Sequence, residues 1–247
     1  MPINLKFRFK GRKVALAATV LLAVSGILLG NWQTRRGDDK EAMQARMAAR
    51  QAAPAVTLDD KALLLDLVQG EYRRVRLQGQ FVAGWTTYLD NRPYNDVAGL
   101  YVLTPFKIAG AEAAVLVERG WIPRDLNERS KVPEFSTPDG TVTIEGIIRL
   151  GAGHVLQLGS AEAIRPGIMM QNLDIAAYAK ASGMRLMPFV IEQQTGAQHY
   201  AGDNLVRDWP APALGVERHR GYAVQWYALA LMVVIFFVVT GFRSGKK

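Results

Sequence analysis

The side chains with the widest chemical reach lie where a charged segment runs into an apolar one near the C-terminus. His219, Tyr222 and Trp226 are spaced i, i+3 and i+7, a spacing that projects all three from one side of a helix. A neutral imidazole is a common ligand of haem iron, and two flat rings beside it suit the faces of a macrocycle. Arg218 and Arg220 flank the histidine, and Arg35 and Arg36 follow the other apolar segment, so guanidinium groups are at hand for the propionates of such a cofactor. The same residue types also serve as plain interfacial anchors, with rings and arginine heads set among lipid headgroups. From residue types alone both readings of His219, Tyr222, Trp226, Arg218 and Arg220 stand.

The elements that must position these residues are apolar and lie at the two ends of the chain. Tyr222 to Phe242 carries no formal charge, and about 20 such residues at a rise of about 1.5 Å span a hydrocarbon core of about 30 Å. Val14 to Leu29, continuing through Trp32, is a second apolar run, preceded by Lys6, Arg8, Lys10, Arg12 and Lys13. Trp32, Gln33, Arg35 and Arg36 follow it in place of small cleavage-site residues, so the run reads as an uncleaved anchor. The lipid membrane is therefore the first partner implied.

The net charge of +8 comes from 30 Lys and Arg against 22 Asp and Glu. The five basic residues ahead of the first span, with Arg243, Lys246 and Lys247 after the second, account for all of it. The interior is balanced, which argues against a nucleic-acid partner. Short basic tails outside both spans predict cytoplasmic termini and a central segment on the far side of the membrane, with Trp32, Tyr222, Trp226 and Tyr227 at the outer interface. The expected order is a cytoplasmic tail 1–13, a transmembrane helix 14–32, a periplasmic domain 33–221, a second transmembrane helix 222–242 and a cytoplasmic tail 243–247. With no cysteine, a thiolate metal site and redox thiol chemistry are excluded. No mitochondrial presequence is evident, and a bacterial inner membrane is the natural location.

Within the central segment, Asp38 to Ala53 has helical composition closed by Pro54, and a shorter helix is expected from Leu58 to Val68. Strands are expected at Tyr72 to Phe81, Thr86 to Leu89, Leu100 to Ile108, Ala114 to Arg119, Thr141 to Leu150 and Pro188 to Gln193. The turns between them are rich in Asp, Asn, Pro and Gly, with Asp90 and Asp96 read as turn hydrogen-bonders. A helix from Ile175 to Ala181 has Asp174 as its N-cap and Gly183 as its stop. No internal repeat or heptad seam is visible, although Gly26 and Gly30 fit a G-x-x-x-G helix contact. The fold class is α+β: two transmembrane helices flanking a β-rich, antiparallel-sheet domain with a few helices.

Catalytic signatures are missing. There is no G-x-S-x-G elbow, H-E-x-x-H, P-loop or G-x-G-x-x-G, and the three histidines, His154, His199 and His219, are too dispersed for a local metal motif. His154 and His199 read as solvated loop residues. The expectation is a protein that is not an enzyme; a polar cluster in a pocket of the outer domain would reopen that question.

Several segments, taken in order, resemble the Surfeit locus protein family of cytochrome c oxidase assembly factors. They are Gly30-Asn31-Trp32-Gln33-Thr34-Arg35-Arg36, Gly70-Glu71-Tyr72, Leu77-Gln78-Gly79-Gln80-Phe81, Asp90-Asn91-Arg92, Gly99 to Pro105, Val115 to Pro123 and Asp208-Trp209-Pro210. The resemblance implies a bacterial assembly factor that helps insert or stabilise haem A in the oxidase catalytic subunit. It implies transient haem A binding at the outer membrane face, with His219 at the family's haem-ligand position. The catalytic subunit and the haem A synthesis or insertion machinery would be its partners. A scaffold that grips the nascent subunit without touching haem is the alternative. Trp32, Arg36, Gly120 and Trp121 belong to the pattern with a structural role implied, the Gly-Trp pair as a strand-ending turn over an aromatic plug. The chain departs from the pattern after Arg36, where a Trp-Lys pair is missing, at Glu118, where Asn is frequent, and at Met169-Met170, where relatives are often aromatic.

Overall fold

The computed structural model describes residues 12–58, 70–125, 127–128, 131–156, 162–196, 202–210 and 214–243. Most of the helix expected at 58–68 lies outside the described residues, as does His199. The chain divides into two compact units: a helical one, residues 1–46 with 211–247, and a β-rich one, residues 47–210.

Two helices make the helical unit, α1 from Lys13 to Ala52 and, last in the chain, α3 from Val216 to Arg243. The apolar run and the helical segment expected after it are thus one continuous helix of 40 residues, since no Gly-Pro break separates them. Both helices are long and apolar enough to cross a membrane, and this is a membrane protein with its apolar side chains turned outward.

The helices pack antiparallel along a heptad seam. Thr19, Ala23, Gly26, Gly30, Gln33, Gly37 and Lys40 form it on α1, and His219, Ala223, Trp226, Ala230, Val233, Phe237 and Thr240 on α3. The seam escaped detection in the sequence because small residues, not Leu or Ile, occupy it; in lipid, close backbone approach replaces hydrophobic burial as the packing force. Gly30 shows the need: any side chain there would run into the ring of Tyr227.

The β unit contains β1 (Val56–Thr57), β2 (Arg74–Phe81), β3 (Thr87–Leu89), β4 (Gly99–Ile108), β5 (Ala114–Pro123), β6 (Val142–Arg149), β7 (Met169–Met170), helix α2 (Ile175–Ser182) and β8 (Leu186–Gln193). The expected strands are all present within a few residues. Helix α2 begins as expected, with the Asp174 carboxylate accepting from Ala177 N at 3.0 Å, and ends at Gly183 with φ 68°. The strand order is β1-β2-β6-β8-β5-β4-β3-β7, and β2 also pairs with β4, so β2, β6, β8, β5 and β4 close into a ring. Antiparallel pairs dominate, but β5 runs parallel to β8, reached through α2.

Alternate residues of the five ring strands point inward and fill the barrel: Val75, Leu77, Phe106, Val117, Ile144 and Phe189 are all buried in one cluster. Closure passes through Gly79, whose missing side chain lets the Lys107 carbonyl of β4 approach.

Two local readings need correction. Gly120 and Trp121 do not end a strand; they sit inside β5, just past a bulge where Arg119 is the extra residue, and the Trp121 indole donates to the Arg92 carbonyl at 2.7 Å. Asp90 does not serve its turn through its side chain either, because both carboxylate oxygens take Arg124 Nη1, at 2.7 and 2.9 Å.

Candidate functional site

His219 occupies the seam of the helical unit one turn into α3, following Gly215, whose φ of 70° sets the chain direction into the helix. Its Nδ1 lies 2.8 Å from Oε1 of Gln33 on α1. The contact suits the tautomer in which Nδ1–H donates to this oxygen and Nε2 keeps an in-plane lone pair. Such a fixed tautomer is how proteins present an imidazole to a metal ion. A Cβ at Gly37 would lie 3.6 Å from Arg220 Cγ and 3.8 Å from His219 Cβ, so α1 passes close to both residues there.

Around this pair the polar residues join one helix to the other. The Tyr227 hydroxyl donates to Asn31 Oδ1 at 2.8 Å and lies 3.3 Å from Thr34 Oγ1. Arg220 bonds to the Glu41 carboxylate and sits 3.8 Å from Asp38. At the other end of the seam Arg12 donates to Thr240 Oγ1 at 2.7 Å and its guanidinium lies 4.9 Å from the Phe237 ring centroid.

The structure therefore sorts the expected site residues. His219 and Trp226 share the seam, with Ala223 between them; Tyr222 is 47% exposed and flanks it. Arg218 is exposed and, among the described residues, has no ion pair, whereas Arg220 is committed to α1. On α1, Arg36 leans over the ring of Trp32 at 5.9 Å and Arg35 is exposed. Gln33, Asp38 and Glu41 complete the arrangement, and residue type alone pointed to none of them. Gln33 shares a helix face with Gly37 and Lys40 at i, i+4 and i+7 and stands in the family-like segment after the first span, and Asp38 and Glu41 are spaced i, i+3. Among the described residues no group of three or more His, Asp or Glu could hold a bare metal ion. His154 is exposed in the loop after β6.

Comparison with known proteins settles the family. The model of the SURF1 family matches residues 20–231. The chain belongs to the SURF1 family. Among relatives, a SURF1-like protein of Rickettsia conorii is 26% identical over 218 residues, covering 86% of this chain and 85% of that protein. One from Monosiga brevicollis is 24% identical over 232 residues, covering 89% and 84%. The cytochrome oxidase assembly protein SHY1 of Saccharomyces cerevisiae is 29% identical over 116 residues, 47% of this chain and 30% of that protein. The match to the SURF1 family takes in α1 from Val20 and α3 as far as Leu231, so the Gln33–His219 contact lies inside it.

Proposed function

We propose that this protein is an assembly factor for haem-copper cytochrome c oxidase that holds haem A transiently through His219 and yields it to the nascent catalytic subunit. Family membership and the assembly role of the yeast relative support the assembly task. One observation carries the haem reading: the His219 ring is held through Nδ1 by Gln33, so that Nε2 is the nitrogen left for a ligand bond.

The residues present fit such a group. Haem A would bring an iron centre seeking a neutral nitrogen ligand and two anionic propionates. His219 would hold the iron, Tyr222 and Trp226 would lie against the macrocycle, and Arg218, which has no ion pair among the described residues, would meet a propionate. Arg220, spent on Glu41, serves to fix α3 beside α1. A single imidazole as the only strong ligand suits release better than two fixed ligands would. The basic tails support cytoplasmic termini in a bacterial inner membrane, with the β unit in the periplasm. The haem A synthesis or insertion machinery would then be the donor.

The scaffold reading, in which the nascent subunit is gripped without haem, draws support from the same level of the helices. There Tyr227, Asn31, Arg220 and Glu41 simply rivet α1 to α3, and His219 with Gln33 resembles one more rivet. Haem content decides between the two. Protein purified from cells making haem A should carry it in the wild type and lose at least tenfold in His219→Ala; equal content in both would refute the ligand assignment, and haem absent from both would favour the scaffold.

A further inference from the structure

We propose that a cavity in the flank of the β unit, floored by Glu118, is a binding site for a primary alkylammonium group of the kind a lysine side chain carries. The cavity holds about 230 Å³ and opens beside the loop after β6. Glu118 of β5 and Glu192 of β8 are registered neighbours across the parallel strand pair, so their carboxyl groups share one face of the sheet. Each guanidinium in the wall already has its own acceptors. Arg149 Nη1 donates to Glu192 Oε2 at 3.0 Å, and Arg92 donates to the carbonyls of Asp90, Gln171 and Ala152 at 3.0, 3.0 and 3.4 Å.

Glu118 is the exception. It is 3% exposed, its Oε1 is buried without a hydrogen-bond partner, and it forms no ion pair among the described residues. The other orphan of the site is a donor, Arg149 Nε, on a guanidinium whose charge Glu192 already balances. A buried carboxyl left this way costs free energy unless a ligand completes it. Its complement is a cation that brings several N–H donors. A bare metal ion lacks the ligands, because no cluster of three or more metal-binding side chains exists among the described residues. An alkylammonium supplies its own donors and needs only an acceptor and a greasy wall for its stem. Tyr101 and Trp209 provide that wall, edge to face at 5.0 Å, with Trp209 pinned by its indole N–H on the Gln193 carbonyl at 2.7 Å.

The chemistry makes binding proton-linked. Burial, with Glu192 alongside, pushes the Glu118 carboxyl up to about 8 against the opposing pull of Arg149 and Arg92; Tyr101 and the exposed His154 are the other titratable groups lining the cavity. At neutral pH the carboxyl is protonated. An arriving ammonium replaces that proton as the counter-charge, so carboxylic acid and ammonium become an ion pair and one proton leaves to solvent.

The test uses the full-length protein in detergent and Nα-acetyl-lysine N-methylamide as probe, titrated by calorimetry between pH 6 and pH 8. Expected are saturable binding, an affinity that rises about tenfold from pH 6 to pH 7 and about fivefold from pH 7 to pH 8, and proton release that falls from about one per probe bound at pH 6 to about half at pH 8, counted from buffers of different ionisation enthalpy. Glu118→Gln should weaken the probe at least tenfold, and the Nε-acetylated probe should not bind the wild type. Absence of saturable binding at tens of millimolar, an affinity flat in pH, or equal binding of the acetylated probe would each overturn the proposal. The last two readouts need only the wild type, so they decide the matter even if Glu118→Gln fails to fold.

Discussion

Polar side chains are used in opposite ways in the two units. In the helical unit several polar groups near His219 are spent on the other helix: His219 on Gln33, Tyr227 on Asn31, Arg220 on Glu41. In the β unit, Arg92, Arg149 and Glu192 satisfy one another or the backbone, yet Glu118 at their centre has no partner. The physical reason lies in the surroundings. Within the spans lipid offers no water to an unpaired group, so a polar pair such as Tyr227 with Asn31 is closed internally. The β unit can hold one unpaired carboxyl by keeping it protonated, at a cost its large apolar core can bear.

The comparison breaks most decisively at barrel closure. In Gly79→Ala the added methyl meets the Lys107 carbonyl, and because backbone rather than a flexible side chain is in the way, the β unit should lose about 3 kcal/mol or more, seen as a large fall in the urea midpoint. The helical unit should keep its helicity in detergent.

Next in size is the pH dependence set by Glu118. Its folded pKa, about 8, lies above its ordinary value of 4.5. Between those two values the folded state holds a proton that the unfolded chain has released, so the stabilising effect is complete below about 4.5 and is lost as pH climbs through about 8. Glu118→Gln removes this dependence. It should raise the stability of the β unit at pH 8 by on the order of a few kcal/mol relative to wild type, with the gain vanishing near pH 4.5, as measured by chemical denaturation at each pH. A gain independent of pH would show that the carboxyl is not protonated in the folded state.

In the helical unit Gln33→Leu sharpens the contrast between a rivet and a positioned ligand. Losing the acceptor for Nδ1–H should weaken haem binding about ten- to a hundredfold and shift the Soret maximum of what remains, while Gln33→Glu, which keeps an acceptor, should retain both. A rivet alone predicts no spectral change. Smallest is Arg220→Gln: its ion pairs with Asp38 and Glu41 are solvent-exposed and tie α1 to α3 only weakly, so thermal stability in detergent should fall only slightly.

Much of this could be read along the chain. The spans, the strand segments and the cap at Asp174 follow from local chemistry: uncharged stretches, alternating aliphatic residues, and a carboxylate placed to accept the first free N–H groups. The heptad seam did not show, because small residues mark helix contacts only weakly. Nor did the parallel β5–β8 pairing, since strand direction depends on where α2 crosses. Glu118 stood in a stretch reading as ordinary strand and was noticed only as a departure from a family pattern.

The sequence by itself determined that this is a two-span SURF1 family protein with a β-rich domain and a histidine at the mouth of the second span. These properties follow from runs of residue type and their order. Tertiary structure alone decided which nitrogen of His219 is left free, that Arg220 is spent while Arg218 is not, and that Glu118 lies beside Glu192 without a partner. Hydrogen-bond partners come from residues 179 and 186 positions apart and carboxyl neighbours from separate strands, and pairing at such separations is set by packing, which no local pattern encodes.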